Sequence, residues 1–377
     1  MRVVMLVGRS TGGIGTHVAQ LSADLRDRGA DVIVVTHPLT AQRFDLGPVR
    51  LWWPGSAGWI RAVHDFRLLR RLASASDIVH AHGHQSALLA SLSTMSIAVK
   101  RDRVRPKLIV SQHNTVMEGS GRQGLKRLAQ RWVARHADLM TGASNDLVEE
   151  ALRFGAGRAE LAEVPSPRVP ELLEQQPADE PTRARIRATL FSSVALEEVD
   201  LALPLVVTIS RIAPQKNLPV LVEAASRLRN PCTWVVLGDG DPDLLTQLQG
   251  QTRALSAPVH FVGARNDADR WLRAAEVFVL PSEWEARALV VQEAMAAGTP
   301  VVATDVGGLH DLVAGTGLLV IPGDPEAIAE ATDRVLGDPG LRGDLAIRGR
   351  EVATALPDGR DTATRWLERY AGTLLMT

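Results

Sequence analysis

The chain has 377 residues, 45% hydrophobic and 23% charged, with a mean hydropathy of +0.01, a globular profile too long for one core, so two domains are expected. A single cysteine, Cys232, excludes an internal disulfide and a cysteine-based metal centre, and no run reaches the roughly 18 apolar residues of a membrane span. Net charge is −1, yet residues 1–170 carry 23 Lys and Arg against 14 Asp and Glu, leaving 19 against 29 in the remainder; the basic half implies an anionic partner, a phosphorylated acceptor or an anionic membrane surface.

The opening segment Met1–Gly8 is too short for a signal peptide and reads as a first strand, Val3–Val7, which points to the cytoplasm, with membrane association left open. Gly12-Gly13-Ile14-Gly15-Thr16-His17 follows it and opens a helix running to about Arg28, with Gly29 as its stop signal. Glycines let backbone approach a phosphate and a helix N-terminus supplies oriented N–H groups, although a plain tight turn explains the same residues. A dinucleotide site is disfavoured, because Val18 stands where a third glycine belongs and Thr36-His37 ends the second strand without an acid. Gly8-Arg9-Ser10-Thr11-Gly12 spells a hydrolase nucleophile elbow, but no His or Asp follows in a setting that marks a triad.

Further strands are expected at Asp31–Val35, Val49–Trp52, Ile78–His80, Lys107–Val110, Leu139–Thr141 and Ala162–Val164, alternating with helix-period stretches in the manner of parallel α/β units. Two of them end in histidines, Asp77-Ile-Val-His80-Ala-His82-Gly-His84 and Val110-Ser-Gln-His113-Asn114. His80 and His82 at i, i+2 with no flanking carboxylate make a poor preorganised metal site, so no metal is assigned. Basic patches lie at Lys100–Lys107 and on a helix carrying Arg127, Arg131 and Arg135 beside an apolar stripe of Leu125, Leu128 and Trp132. That helix either faces an anionic partner or turns a wet face outward while the stripe packs. No stacking-aromatic or zinc-finger pattern supports a nucleic-acid role.

A composition shift marks a boundary: Pro165-Ser-Pro167, then a Pro-, Glu- and Gln-rich stretch to Pro181 and an Arg-rich helix at about Thr182–Leu190. The expected organisation is a domain at 1–170, a linker at 171–200, a second domain at 201–355 and a terminal helical segment at 356–377. A second strand series runs through Leu203–Thr208, Thr233–Leu237, Val259–Val262, Val277–Leu280, Val301–Ala303 and Leu318–Ile321, and helices close the chain at about Pro325–Leu336, Pro339–Ala353 and Asp361–Leu374. After its first strand come Ser210-Arg211 and Lys216-Asn217; with 4 Lys against 38 Arg in the chain, a lysine here is not readily incidental. Asp239 and Asp241 of Gly238-Asp-Gly240-Asp read as turn or cap residues. Val277–Leu280 ends at Pro281-Ser282-Glu-Trp-Glu285, followed by Ala286-Arg287-Ala288-Leu289 and Glu293. The C-terminal edge of such a strand is where ligands bind in open α/β sheets. A helix expected over about Ala286–Ala297 sets the two glutamates about 80° apart around it.

The Glu285–Glu293 spacing and the tail Ala297-Gly298-Thr-Pro300-Val-Val-Ala-Thr304 resemble the E-x7-E signature of retaining glycosyltransferases of family 4. Ser210-Arg211 to Lys216, Gly238-Asp-Gly240, Asp77 to His82 and the Gly12-Gly13 loop resemble that family's other motifs. The resemblance implies an α/β GT-B fold, two Rossmann-like domains with a deep interdomain cleft, and the last helix crossing back to the N-terminal domain. It implies transfer of a hexose-type sugar from a nucleotide-diphosphate sugar, such as a UDP- or GDP-sugar, with no metal or other cofactor. Glu285 would contact the donor sugar, His82 the reacting centre, and Glu293 the ribose. Gly13, Arg211, Lys216, Ala288 and Leu289 would hold the diphosphate, with Arg265 near the base and Gly12, Gly15 and His113 near the acceptor, itself phosphorylated or lipid-linked. Two departures stand out: Ala286-Arg287-Ala288 replaces Gly-Phe-Gly, and Val164-Pro-Ser-Pro167 replaces Val-Pro-Asn-Gly. They keep open a catalytically weak sugar-nucleotide-binding protein, beside a nucleotide-sugar 2-epimerase on the same fold.

Overall fold

The computed structural model describes residues 1–10, 12–54, 58–98, 105–114, 123–194, 196 and 199–376. The Lys100–Arg103 part of the first basic patch lies outside them. The chain forms two compact units, Met1–Pro167 with Pro357–Thr377, and Arg168–Leu356.

Unit 1 runs β1 (Arg2–Val7), α1 (Gly13–Asp27), β2 (Asp31–Thr36), α2 (Pro38–Arg43), β3 (Val49–Leu51), α3 (Trp59–Ser74), β4 (Ile78–His82), α4 (His84–Ala98), β5 (Lys107–Gln112), α5 (Gln123–His136), β6 (Leu139–Gly142), α6 (Asn145–Arg153) and β7 (Ala159–Leu161). Its sheet is parallel, in the order β3-β2-β1-β4-β5-β6-β7. Because successive strand side chains point to opposite faces, Val3, Met5 and Val7 join one core layer with Val18, Leu21 and Leu25 of α1, while Val4 and Leu6 join another with residues of α3, α4 and α5. Both faces are covered, which is why β1 reads as an uninterrupted apolar run. The seventh strand lies three residues earlier than the expected Ala162–Val164. Its register is set by pairing with β6, Met140 opposite Ala159 and Gly142 opposite Leu161, and the buried Ala162 and Val164 pack beyond the strand end.

Unit 2 runs α7 (Val169–Glu174), α8 (Glu180–Ser192), β8 (Leu205–Ile209), α9 (Leu218–Ser226), β9 (Thr233–Leu237), α10 (Pro242–Ala254), β10 (Val259–Phe261), α11 (Ala268–Ala274), β11 (Val277–Leu280), α12 (Leu289–Ala297), β12 (Val301–Thr304), α13 (Gly308–Val313), β13 (Leu318–Val320), α14 (Pro325–Gly337) and α15 (Pro339–Ala355). Its parallel sheet has the order β10-β9-β8-β11-β12-β13. The chain ends in α16 (Gly359–Leu375), which packs on α1 in unit 1 and buries Trp366 and Tyr370 beside Val3 and Met5.

The stretch 171–200, expected as a linker, instead contributes two helices to unit 2. Leu172, Leu190 and Phe191 are buried in its core with Trp271 and Phe278. A buried ion pair fixes α8: Arg187, 2% exposed, donates from Nη1 to Glu276 Oε1 and Oε2 at 3.1 and 3.2 Å, and Glu276 Oε2 also accepts from the Leu205 N–H at 2.6 Å. Burial pushes the Glu276 carboxyl upward, and Arg187 opposes that shift. The Pro- and Glu-rich composition reflects helix starts at Pro170 and Pro181 near first-turn acids. Replacing Arg187 with Met should leave Glu276 buried without its main counter-charge and lower unfolding free energy by about 3–5 kcal/mol. Urea denaturation would measure this, and an unchanged midpoint would mean the pair contributes nothing to holding α8.

Candidate functional site

Each sheet reverses direction beside its first strand, between β1 and β4 in unit 1 and between β8 and β11 in unit 2. In open α/β sheets the crevice at such a reversal, beyond the strands' C-terminal ends, is where ligands bind. Most of the residues singled out from sequence lie on the strand ends and loops around these two places, whereas Arg265 follows the edge strand β10.

In unit 2, β8 leads into exposed Arg211 and then a 3-10 turn, Pro214–Lys216. The Arg211 loop is held by the turn after β9: Ile212 N–H donates to Asp239 O at 2.9 Å and Asp241 N–H to Ile212 O at 2.9 Å. Gly238 and Gly240 permit that approach, since a Cβ would stand 1.8 Å from Ser210 O or 2.1 Å from Ile212 O. Asp241 caps α10 through the Asp243 and Leu244 amides. These glycines therefore serve backbone packing beneath the loop.

Glu285 lies on the coil ahead of α12, which begins only at Leu289, so the pair does not share a helix as expected. Tertiary bonds hold the loop out of helical form. Ser282 Oγ donates to Glu285 Oε1 at 2.7 Å, Lys216 Nζ pairs with the same oxygen, and the Gly308 N–H donates to the Glu285 carbonyl at 2.9 Å. Gln215 ties the two loops, donating from Nε2 to Trp284 O at 2.8 Å and accepting from the Glu283 N–H at 2.9 Å. Glu293 stands on α12, 8% exposed, with Arg168 Nη1 3.8 Å from its carboxylate. Ala286 and Ala288 are buried at 5% and 7% exposure, so the two Cβ atoms that replace glycine hydrogens are absorbed by packing. Ala288 is the N-cap of α12 and Leu289 its first residue, where backbone N–H groups lack intrahelical partners. Arg265 sits on Asp267, with Nη2 also donating to Ser193 Oγ at 3.0 Å, and the pairing favours its charged form.

In unit 1, Gly12 is the N-cap of α1 and exposed Gly13 its first residue. Ser10 Oγ accepts from the Gly15 N–H at 3.0 Å, so the hydroxyl of the elbow-like sequence ties down the helix start. Gly15 is buried against Phe44, whose ring would lie 2.3 Å from a Cβ there; close packing accounts for that glycine. His82, His113 and a residue not chosen from sequence, His17 on α1, form a buried imidazole cluster whose candidate ligand nitrogens lie within 4.8 Å of one another. The signal available for His17 was its place one helical turn after Gly13, facing inward. His82 Nδ1 and His113 Nε2 share a hydrogen bond at 3.1 Å, and buried His82 Nε2 has no partner among the described residues. Beneath them a hydrogen-bond chain crosses the sheet: Tyr370 Oη to His80 Nδ1 at 2.7 Å, His80 Nε2 to Ser111 Oγ at 2.7 Å, and Ser111 Oγ to Thr141 Oγ1 at 2.8 Å. Burial lowers His17 to about 4 and His113 to about 3, and depresses His82 and His80 well below the usual imidazole range. The cluster is therefore neutral near pH 7, able to donate and accept hydrogen bonds, and chemically able to ligate a borderline divalent ion.

Two parallel Rossmann-like sheets of this kind are those of the GT-B fold. A model of the "Glycosyl transferase 4-like domain" matches residues 12–167, and one of "Glycosyl transferases group 1" matches residues 203–338. The chain is 30% identical to alpha-maltose-1-phosphate synthase of Mycolicibacterium smegmatis over 93% of its own length and 94% of that protein. It is 29% identical to alpha-D-kanosaminyltransferase of Streptomyces kanamyceticus over 86% and 83% of the two chains. Anabaena HepE, crystallised with UDP-glucose, superposes with a TM-score of 0.82 at 20% identity, covering 99% of this chain and 100% of the other. This chain belongs to the group 1, family-4-like glycosyltransferases.

Two outcomes follow. Gly307 has φ +48°, and a Cβ there would stand 2.1 Å from Glu285 O. Gly307→Ala should therefore cost about 1–3 kcal/mol, read by urea unfolding; an unaltered midpoint would show that the Glu285 loop yields freely. Acidification is the second. His17 and His113 take up protons in the unfolded chain below about pH 6.5 but resist doing so when folded. Stability present above pH 6.5 should thus fall as pH drops toward 4, by about 1.4 kcal/mol per pH unit for each imidazole. Calorimetry between pH 7.5 and 5 checks this, and a constant transition temperature would count against neutral buried histidines.

Proposed function

We propose that the chain is a retaining glycosyltransferase that moves a hexose-type sugar from a nucleotide-diphosphate sugar to an acceptor hydroxyl without a metal ion. The observation that carries this reading is the Lys216–Glu285–Ser282 constellation past the end of β11, immediately before the N-terminus of α12. The UDP-glucose bound by Anabaena HepE and the sugar-transfer names of the relatives support a nucleotide-sugar donor.

In this reading Arg211, Lys216, the Gly13 end of α1 and the backbone at Ala288 and Leu289 balance charge growing on the departing diphosphate. The bond from the anomeric carbon to the phosphate oxygen breaks as the acceptor oxygen bonds to the same face, and the acceptor proton passes to a donor phosphate oxygen. Glu285 addresses the sugar hydroxyls, Glu293 the ribose, and Arg265 the side of the base. His82 and His113 orient groups at the reacting centre, with Gly12 beside the acceptor. Donor binding draws Lys216 from Glu285 toward phosphate, so the pair acts as a placeholder for both charges. Buried Ala286 and Ala288 reduce the case for a non-catalytic binding protein.

The test is release of nucleoside diphosphate from UDP-, GDP- and ADP-sugars with and without chelator. Release should be chelator-insensitive and fall at least about 100-fold in Glu285→Gln, the scale of losing one aligned polar group at a reacting centre. Loss of activity with chelator that zinc restores would overturn metal independence and direct attention to His17, His82 and His113. Donor binding without turnover would establish the binding-protein reading instead.

A further inference from the structure

Sugar transfer gives His82 and His113 a place at the reacting centre and leaves His17 without a task. Yet His17, His82 and His113 are all nearly removed from water, at 3%, 2% and 9% exposure. Side chains alternate across a strand, so His80 and His82 of β4, with Ser111 of β5 and His113 directly after it, share one face of the sheet. That is the face α1 covers. His17, one turn into α1, comes down on the two strand ends. Its ring centroid lies 5.8 Å from that of His82 and 5.5 Å from that of His113.

The sequence sets His80 beside His82, but folding takes His80 out of the set, since the Tyr370 and Ser111 hydroxyls engage both its nitrogens at 2.7 Å. The other three rings each offer a nitrogen within 4.8 Å of the rest. His82 Nδ1 and His113 Nε2 are 3.1 Å apart. Two nitrogens bound to one tetrahedral zinc at roughly 2.0–2.1 Å stand about 3.3 Å from each other. One edge of a coordination tetrahedron is therefore already formed, and rotation of the His17 side chain supplies a third corner. The imidazoles do not satisfy one another, because His82 Nε2 is buried with no partner among the described residues. Burial keeps the rings uncharged near pH 7, with lone pairs available to a metal. The group contains no carboxylate or thiolate, a donor set that suits zinc and neighbouring late transition ions and offers little to magnesium or calcium.

We propose that His17, His82 and His113 form a three-histidine zinc site, with water or an anion in the fourth position, and that zinc held there inhibits sugar transfer. The site stands on the geometry of the three rings, whereas the inhibition rests on the sugar-transfer reading. A bound ion takes the His82 and His113 nitrogens that this reaction uses to orient groups at the reacting centre. Transfer without a metal and inhibition by zinc then have one cause, since the reaction needs those rings free.

The experiment uses the full chain without an affinity tag, freed of metal by a chelator. Zinc competed against a chromophoric chelator should bind as one ion per chain, with affinity at least about 100-fold lower in His17→Gln, beyond what loss of an outer partner costs. Cobalt(II) should show the intense visible absorption of tetrahedral ligation, and zinc should abolish it. His310→Gln, which removes an exposed imidazole paired with Asp305, should leave both results unchanged. Saturating zinc should slow diphosphate release roughly 100-fold, the scale of misplacing a reacting group. The same zinc concentration should spare His17→Gln, whose metal-free rate is retained. Far-UV circular dichroism checks that this variant folds, and the cobalt spectrum of the unaltered chain decides the site if it does not. Lack of stoichiometric zinc binding, an octahedral cobalt spectrum, or undiminished affinity in folded His17→Gln would overturn the site. Zinc bound there with undiminished release, or release that requires zinc, would overturn the inhibition. Absence of release from the metal-free chain would overturn the inhibition together with the sugar-transfer reading, while the binding measurements still decide the site.

Discussion

The reversal of strand order beside β1 and beside β8 is the constraint on which both candidate sites depend. Parallel neighbours must be joined by crossovers of one hand, so the helices leaving β1 and β4, or β8 and β11, go to opposite faces of their sheet. No connection then closes the gap between the C-terminal ends of those two strands. The loops that border it do not have to cover a core, and polar residues can be placed there without disturbing the packed layers. His82 follows from this in unit 1, as do Arg211, Lys216 and Glu285 in unit 2.

The units manage buried polarity differently. Unit 1 keeps imidazoles uncharged by removing water from them, and the chain from Tyr370 through His80 and Ser111 to Thr141 satisfies the layer beneath with neutral hydrogen bonds. That arrangement ties the final helix to the strand carrying His82. Unit 2 retains charges and pairs them, Arg187 with Glu276 under the sheet and Lys216 with Glu285 at its edge. The first pair has backbone partners that complete it, Leu205 N–H and Leu203 O, as a structural ion pair requires. The second sits on the loop ahead of α12, where Ser282 Oγ donates to the same carboxylate oxygen.

Local backbone support decides how firmly those charges are aimed. Gly238 and Gly240 let the β9 turn press on the Arg211 loop, and Gly307 lets the α13 start press on the Glu285 carbonyl. The Arg211 and Glu285 loops thus rest on backbone contacts that a side chain at any of the three glycines would break. The alanines of the Ala286-Arg287-Ala288 segment fall where a methyl group fits the core.

Most of the strands and the two-sheet organisation were legible in the sequence because a strand buried on both faces must be apolar throughout and must end at Gly, Pro or polar residues. Arg211, Lys216, Glu285 and His82 were legible for a related reason: His82 is the last residue of β4 and the other three lie on the loops that follow β8 and β11, where an open sheet admits polar residues. Contacts distant in sequence were not. His17 joins His82 and His113 only when α1 folds over β4 and β5, and Gly15 is required only because Phe44 arrives from beyond β2. Glu285 leaves helical register because Lys216, Ser282 and Gly308 hold it, and 171–200 becomes part of unit 2 because Arg187 finds Glu276 across 89 residues. The apolar stripe on α5 left open how much of it would pack; Trp132 meets the core while Leu125 and Leu128 remain in solvent. Periodicity and turn chemistry are properties of neighbouring residues and survive in one dimension; which surfaces meet, and which find no partner, is settled by packing in three.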